Sequence, residues 1–243
     1  MNATKAREPG KAAPGTVGTP PAAVALAPFS RWVIVIGGLL FALLMALSDR
    51  YGFHHDELYF LDCGRHLQAS YVDQPVFTPL LAWVTLKTFG VSLVGLRLWP
   101  ALAAWGTVIV AGLTAREFGG RRRAQLLAAF AVATMPAVYG ADHMLDTAAF
   151  DILAWSGLAF MVIRIGRTGD QRWWVPAGVV LGLGVENKHL IGFFAIAIVI
   201  GAVLAGPRRA VLNRWFAAGA AIAVALAIPD IWWQATHGWP RSR

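Results

Sequence analysis

Residues 51–75, YGFHHDELYFLDCGRHLQASYVDQP, hold four carboxylates, three histidines and three tyrosines. Groups of these types exchange protons with bound hydroxyls and ligate metal ions. Two later stretches carry a similar inventory. YGADHMLDTAAFD, residues 139–151, contains Asp142, Asp146 and Asp151. GLGVENKHLIGF, residues 182–193, contains Glu186, Lys188 and His189. A lysine ammonium is a compact point charge suited to a phosphate.

Each group also has a local structural role open to it. HHDELYFLDCGRHLQ has the spacing of a short amphipathic helix, so Asp56 and Glu57 could cap its first turn, where the helix dipole favours carboxylates. Asp73, ahead of Gln-Pro, suits a turn, and Asp146 suits an N-cap. Lys188 could be a snorkelling lysine at a helix end. His54, His55, Asp56 and His66 are zinc ligands by type, but their spacing matches no established motif and adjacent histidines usually point apart. The single cysteine, Cys63, excludes an internal disulfide framework.

The surrounding chain is mostly apolar. Over 243 residues it is 57% hydrophobic and 14% charged, with eleven tryptophans and a mean hydropathy of +0.57. Soluble domains carry about a quarter charged residues, so the expected fold class is an all-α polytopic membrane protein. The net charge of +8 does not indicate a nucleic-acid partner, because the basic residues form short clusters between apolar spans. Residues 1–30, rich in Pro, Ala and Gly, read as a disordered cytoplasmic tail. Residues 31–243 read as a transmembrane domain, with 49–92 as its first extracytoplasmic loop and interfacial helices.

Arg/Lys excess marks cytoplasmic loops. Arg31, the cluster Arg116/Arg121/Arg122/Arg123, the group Arg164/Arg167/Arg172 and the group Arg208/Arg209/Arg214 should therefore share one side. That requires a single net crossing between residues 75 and 116. The segment 76–90, short and carrying Pro79 and Lys87, is therefore expected to lie at the outer interface. About seven spans remain, with an N-terminus in the cytoplasm and an uncleaved first anchor. Asp49, Asp56, Glu57, Asp62, Asp73, Asp142, Asp146 and Glu186 all fall outside. Acids converging at one membrane face are functional candidates, because charge in hydrocarbon is costly.

Five stretches then occur in order: HHDELYF, YVDQPV, REFGGRRRAQLLAA, HMLDTAAF and GLGVENKHLIGFF. Their order and spacing, over residues 31–240, resemble the GT-C glycosyltransferases, in the branch related to protein mannosyltransferases and to the lipid A aminoarabinose transferase. Val76 stands where that family usually has a second proline. PDIWWQATHGWP resembles a segment that continues into further spans, so the chain reads as the N-terminal portion of a longer enzyme.

The resemblance implies a GT-C-type bundle in the plasma (inner) membrane. The implied activity is inverting transfer of a sugar from a polyprenyl-phosphate donor to a lipid, glycan or protein acceptor at the extracytoplasmic face. A lipid phosphate leaves well by itself, so one base and one cation suffice. Asp56 would be the base, and Glu57 would position the acceptor or a metal. Asp146 would orient acceptor or sugar. Lys188 would meet the phosphate, assisted by Arg65 or His189, and Asp73 and Tyr59 would join the substrate-binding set. No definite cofactor is implied, and a divalent metal is left open. Two alternatives remain: a membrane transporter, which would gather its charges near the midplane on broken helices, and a truncated inactive membrane domain.

Overall fold

A computed structural model describes residues 26–206 and 208–240. Most of the expected tail, residues 1–25, lies outside that range. Among the described residues the regular structure is helical, apart from an isolated bridge between Ser70 and Pro75. The helices are α1 (Arg31–Leu47), α2 (His55–Arg65), α3 (Phe77–Thr88), α4 (Leu93–Glu117), α5 (Arg122–Ala133), α6 (Pro136–Asp142), α7 (Thr147–Thr168), α8 (Trp174–Val185), α9 (Ile191–Leu204) and α10 (Arg214–Thr236). This is an all-α membrane protein.

Hydrogen bonds tie the basic clusters to one another. Gln125 accepts from the Ser30 amide at 2.9 Å, and Arg116 donates to the Ala27 carbonyl at 2.8 Å. Glu117, fully buried at its side chain, accepts from both Arg164 and Arg167. Asn213 donates to Gln171 at 3.1 Å, and the Trp174 indole donates to the Ala210 carbonyl at 2.6 Å. The four arginine groups thus collect at one end of the bundle. The acidic loops collect at the other.

Seven segments of the described chain run between the two ends: α1, α4, α5 with α6, α7, α8, α9 and α10. Three of them are long and apolar enough to cross a membrane alone: α4 with 25 residues, α7 with 22 and α10 with 23. α5 and α6 would make a fourth, bent by 55° at their junction. The break falls before Pro136, which lacks an N–H and drives Met135 into extended backbone at φ −73°, ψ 124°. α1, α8 and α9 have 17, 12 and 14 residues, below or at the lower edge of the ~17–25 that a full crossing takes. Among the described residues, helix length and composition thus support three crossings, or four with the bent pair, and do not themselves show seven.

α3 has 12 residues, about 18 Å of helix, well short of a ~30 Å hydrocarbon core. It runs across the acidic end. The amide of Phe77 at its start donates to the Glu186 carbonyl at 3.0 Å, and Thr85 near its end accepts from the Trp99 indole on α4 at 2.8 Å. α2 lies against it, and both rest on a core of Phe60, Leu61, Ala82, Leu96 and Leu145. At the other flank α8 and α10 meet backbone to backbone. A Cβ on Gly178 would stand 2.1 Å from the Gly219 carbonyl oxygen, and one on Gly219 would stand 2.1 Å from that of Trp174. Small residues at such a crossing let helices associate by close van der Waals packing where lipid offers no hydrophobic gain.

Candidate active site

The site begins at the start of α2. His54 is the N-cap: its ring accepts from the Asp56 amide at 3.4 Å, while Glu57 reaches back to the His54 amide at 2.9 Å. Capping is thus done by His54 and Glu57. Asp56 is left with a side chain 37% exposed, its carboxylate 3.0 Å from His55 Nε2 and 3.3 Å from His54 Nδ1. The candidate ligand atoms of His54, His55 and Asp56 lie within 4.8 Å of one another, despite the adjacency of the two histidines. The cap brings these groups together, and their ligand atoms are of the type and spacing that could hold a divalent cation.

Glu57 faces inward. It is fully buried and forms a two-pronged pair with Arg97 of α4, Nε to Oε1 at 2.9 Å and Nη2 to Oε2 at 2.7 Å. Arg97 also donates to the carbonyls of Ser48 at 2.6 Å and Gly52 at 2.8 Å, and its guanidinium lies 3.8 Å from the centre of the Tyr51 ring. The sequence reading overlooked Arg97. Its signal was available, because an arginine inside the apolar run LVGLRLWPALAAWG demands a partner.

Glu57 also joins the first loop to the second. Its Oε1 accepts from the Leu145 amide at 3.3 Å, and the Tyr51 hydroxyl donates to the His143 carbonyl at 2.6 Å. Asp146 follows as N-cap of α7, accepting from the Thr147 amide at 2.6 Å. Asn187 then joins the second loop to the third: its Nδ2 donates to the Thr147 carbonyl at 2.9 Å, and its Oδ1 accepts from Thr78 of α3 at 3.0 Å. Chain neighbours of Asp56, Asp146 and Lys188 are therefore hydrogen-bonded in series.

The Lys188 ammonium is half-buried and has no hydrogen bond or ion pair among the described residues, although Asp151 lies within electrostatic range. Beneath Asn187 an apolar cleft of about 310 Å³ runs down between α7 and α8, lined by Phe77, Phe150, Leu153, Met161 and Val180. Other expected site residues are engaged differently. Tyr59 donates to Asp73 at 2.7 Å, and burial together with that hydrogen bond pushes the phenol well above its usual range. Arg65 is exposed in the last turn of α2. His189 turns from Lys188 to Asp230 of α10, with Nε2 to Oδ2 at 2.9 Å, and Asp230 also accepts from Ser70. Burial and the nearby Asp230 push the Glu186 carboxyl up to about 7.

The sequence profile of the dolichyl-phosphate-mannose-protein mannosyltransferases matches residues 73–233. The chain belongs to that family. The match, about two thirds of the chain, takes in Asp146 and Lys188, while the α2 acids precede it. This membership makes the chain a member of the GT-C superfamily of glycosyltransferases. The chain is also 26% identical over 220 residues to the lipid A galacturonosyltransferase RgtD of Rhizobium johnstonii, covering 87% of this chain and 45% of that protein. It therefore spans about half the length of that curated relative. No solved structure matches the chain. Within the mannosyltransferase family match, the segment begins at Asp73, just before the α3 that spans the acidic end.

Proposed function

We propose that this chain carries the catalytic end of a membrane glycosyltransferase that moves a sugar from a polyprenyl-phosphate donor to a hydroxyl of a lipid, glycan or protein acceptor. The observation that carries the reading is an accessible carboxylate, Asp56, and an ammonium with no ion pair among the described residues, Lys188, on loops hydrogen-bonded in series, the third of them beside an apolar cleft. Asp56 takes the acceptor proton as the acceptor oxygen attacks the anomeric carbon. The bond from that carbon to the phosphate oxygen breaks, and its electron pair leaves with the lipid phosphate. Lys188 offsets the charge there. One displacement inverts the anomeric centre. A glycosidase needs a second carboxyl to protonate an alkoxide leaving group, whereas a phosphate needs none.

In this reading Asp146 orients acceptor or sugar, Asp73 and Tyr59 line the approach, and Arg65 stands at the rim for the phosphate. The apolar cleft takes the first isoprene units. The activity is measured as transfer of radiolabelled sugar from polyprenyl phosphate in membranes carrying the full-length protein. Lys188→Ala should raise the KM for the donor about 10- to 100-fold, the scale of a hydrogen bond to a charged group at ~1.5–3 kcal/mol. It should lower turnover as well, since the phosphate is charged before and after transfer. An unchanged KM would remove Lys188 from the donor site.

The basic end would face the cytoplasm and the acidic end the outside of the inner membrane. Cysteines placed at positions 68 and 121, with buried Cys63 replaced, should respectively react with and resist an impermeant thiol reagent in intact cells. The reverse pattern would invert the whole orientation.

A further inference from the structure

Of the cluster His54, His55 and Asp56, the proposed transfer step uses only the carboxylate. Nδ1 of His54 stands 3.3 Å from Asp56 Oδ2, and Nε2 of His55 stands 3.0 Å from Asp56 Oδ1. The two imidazole rings lie 4.1 Å apart at their centres, inclined by 44°. Adjacent histidines usually point apart, yet here a nitrogen from each falls with a carboxylate oxygen inside a 4.8 Å span. Atoms bound to one ion at ~2.0–2.1 Å stand about 2.9–3.4 Å from each other at octahedral to tetrahedral angles. Both gaps to the carboxylate lie in that range. His66, the fourth ligand by residue type, is the C-cap at the far end of the 11-residue α2 and stays outside the cluster.

The cluster is backed by fixed structure. The His54 amide donates to Glu57 Oε2 at 2.9 Å, and Glu57 is pinned by its buried, two-pronged pair with Arg97. That pair consumes the charge of Glu57, so Asp56 is the carboxylate of the first turn of α2 left for an ion. A cation on His54 Nδ1 would displace only the 3.4 Å bond from the Asp56 amide and leave the Glu57 half of the cap in place. The free N–H groups of the helix start oppose a cation, an effect smaller than three coordinate bonds. Access is open: the side chains of His54, His55 and Asp56 are 39%, 81% and 37% exposed. Two imidazoles and a carboxylate suit zinc and its neighbours in the first transition row, whereas magnesium and calcium take oxygen ligands.

We infer that His54, His55 and Asp56 bind a divalent transition-metal ion of the zinc class, with its remaining coordination positions open to a hydroxyl or water. Three protein ligands are the number at which zinc sites keep a position for substrate. One Asp56 oxygen suffices for the ion, which leaves the second to take the acceptor proton. Only that use of the open position rests on the transferase reading. The ion site itself stands on the three side chains.

The test uses the full chain in lipid nanodiscs, without a histidine tag, titrated with Co²⁺ and followed by its ligand-field absorption. Co²⁺ should bind stoichiometrically, and Zn²⁺ should displace it while excess Mg²⁺ should not. His55→Ala removes an exposed side chain, so the fold should persist. It should weaken Co²⁺ by at least about tenfold, since even the outer partners of a ligand are worth that much. Asp56→Asn, which keeps shape and loses charge, should weaken it by a similar factor. His66→Ala should bind as the parent does. No stoichiometric Co²⁺ in the parent protein would overturn the inference, as would equal affinity in the parent, His55→Ala and Asp56→Asn proteins. Displacement by Mg²⁺ as readily as by Zn²⁺ would overturn it too. The three side chains would then be a hydrogen-bonded trio at a helix start. Neither donor nor acceptor is present, so the two readings fail separately. Co²⁺ binding in a protein that transfers no sugar keeps the ion site and removes the reaction. Sugar transfer by a protein that binds no Co²⁺ removes the ion site and keeps the reaction.

Discussion

Asp56→Asn should lower turnover by about 10²–10⁴-fold, the usual worth of a positioned general base. The substitution is nearly isosteric and keeps hydrogen-bonding capacity toward His54 and His55, which hold the carboxylate at 3.3 and 3.0 Å. Helix capping is not at stake, because the capping box is made by His54 and Glu57. Donor binding should change little, since the residue acts on the acceptor proton. Sugar transfer measured with saturating donor isolates this step. Near-normal turnover with Asn at this position would reduce Asp56 to a partner of its two histidines.

Arg97→Met should instead act through the fold. Breaking a buried ion pair by removing one partner costs about 3–5 kcal/mol, because the survivor stays buried without compensation. Here both members are essentially inaccessible, at 2% and 0% exposure of their side chains. Methionine also abandons the carbonyls of Ser48 and Gly52, so the turn between α1 and α2 loses its anchor. Glu57→Gln should fall in the same class, since it leaves the guanidinium uncompensated and weakens the link to Leu145. Thermal unfolding in detergent would report a lowered midpoint for either variant, with loss of transfer tracking the loss of folded protein. A midpoint equal to that of the parent protein would refute a structural role for the pair. Asp56→Asn makes the contrast, with activity lost and the midpoint kept.

The sequence disclosed the acidic islands and their grouping well, because charge in a long apolar chain is conspicuous and basic clusters fix which loops share a side. Pro79 and Lys87 likewise flagged α3 as too short to cross. What could not be read was the set of single polar residues that join the islands. Arg97, Asn187 and Asp230 each sit within or beside an apolar run, and their partners Glu57, Thr78 and Ser70 are 40, 109 and 160 residues away. No local pattern encodes separations of that size. Glu57 shows the same blindness from the other side. Its neighbour Asp56 has the same kind of carboxylate, yet one is sealed against α4 and the other is partly exposed, and only tertiary packing distinguishes them. The apolar stretches at α8 and α9 include capping and turn residues such as Trp173 and Ala205, which leaves helices of 12 and 14 residues.

The Glu117 latch has a consequence for how the molecule comes to be built. The carboxylate that closes α4 is separated from Arg164 by 47 residues. At a synthesis rate of ~5–20 residues per second, several seconds pass between the emergence of the acid and that of its first partner. During that interval the nascent chain presents Glu117 next to Arg116, with the bent α5–α6 pair still to be placed. α4 and α7 can lock at that end only after the intervening segment has crossed and returned. The ion pair would then be a late step of biogenesis, available only once Arg164 and Arg167 have been made and brought to the end of α4.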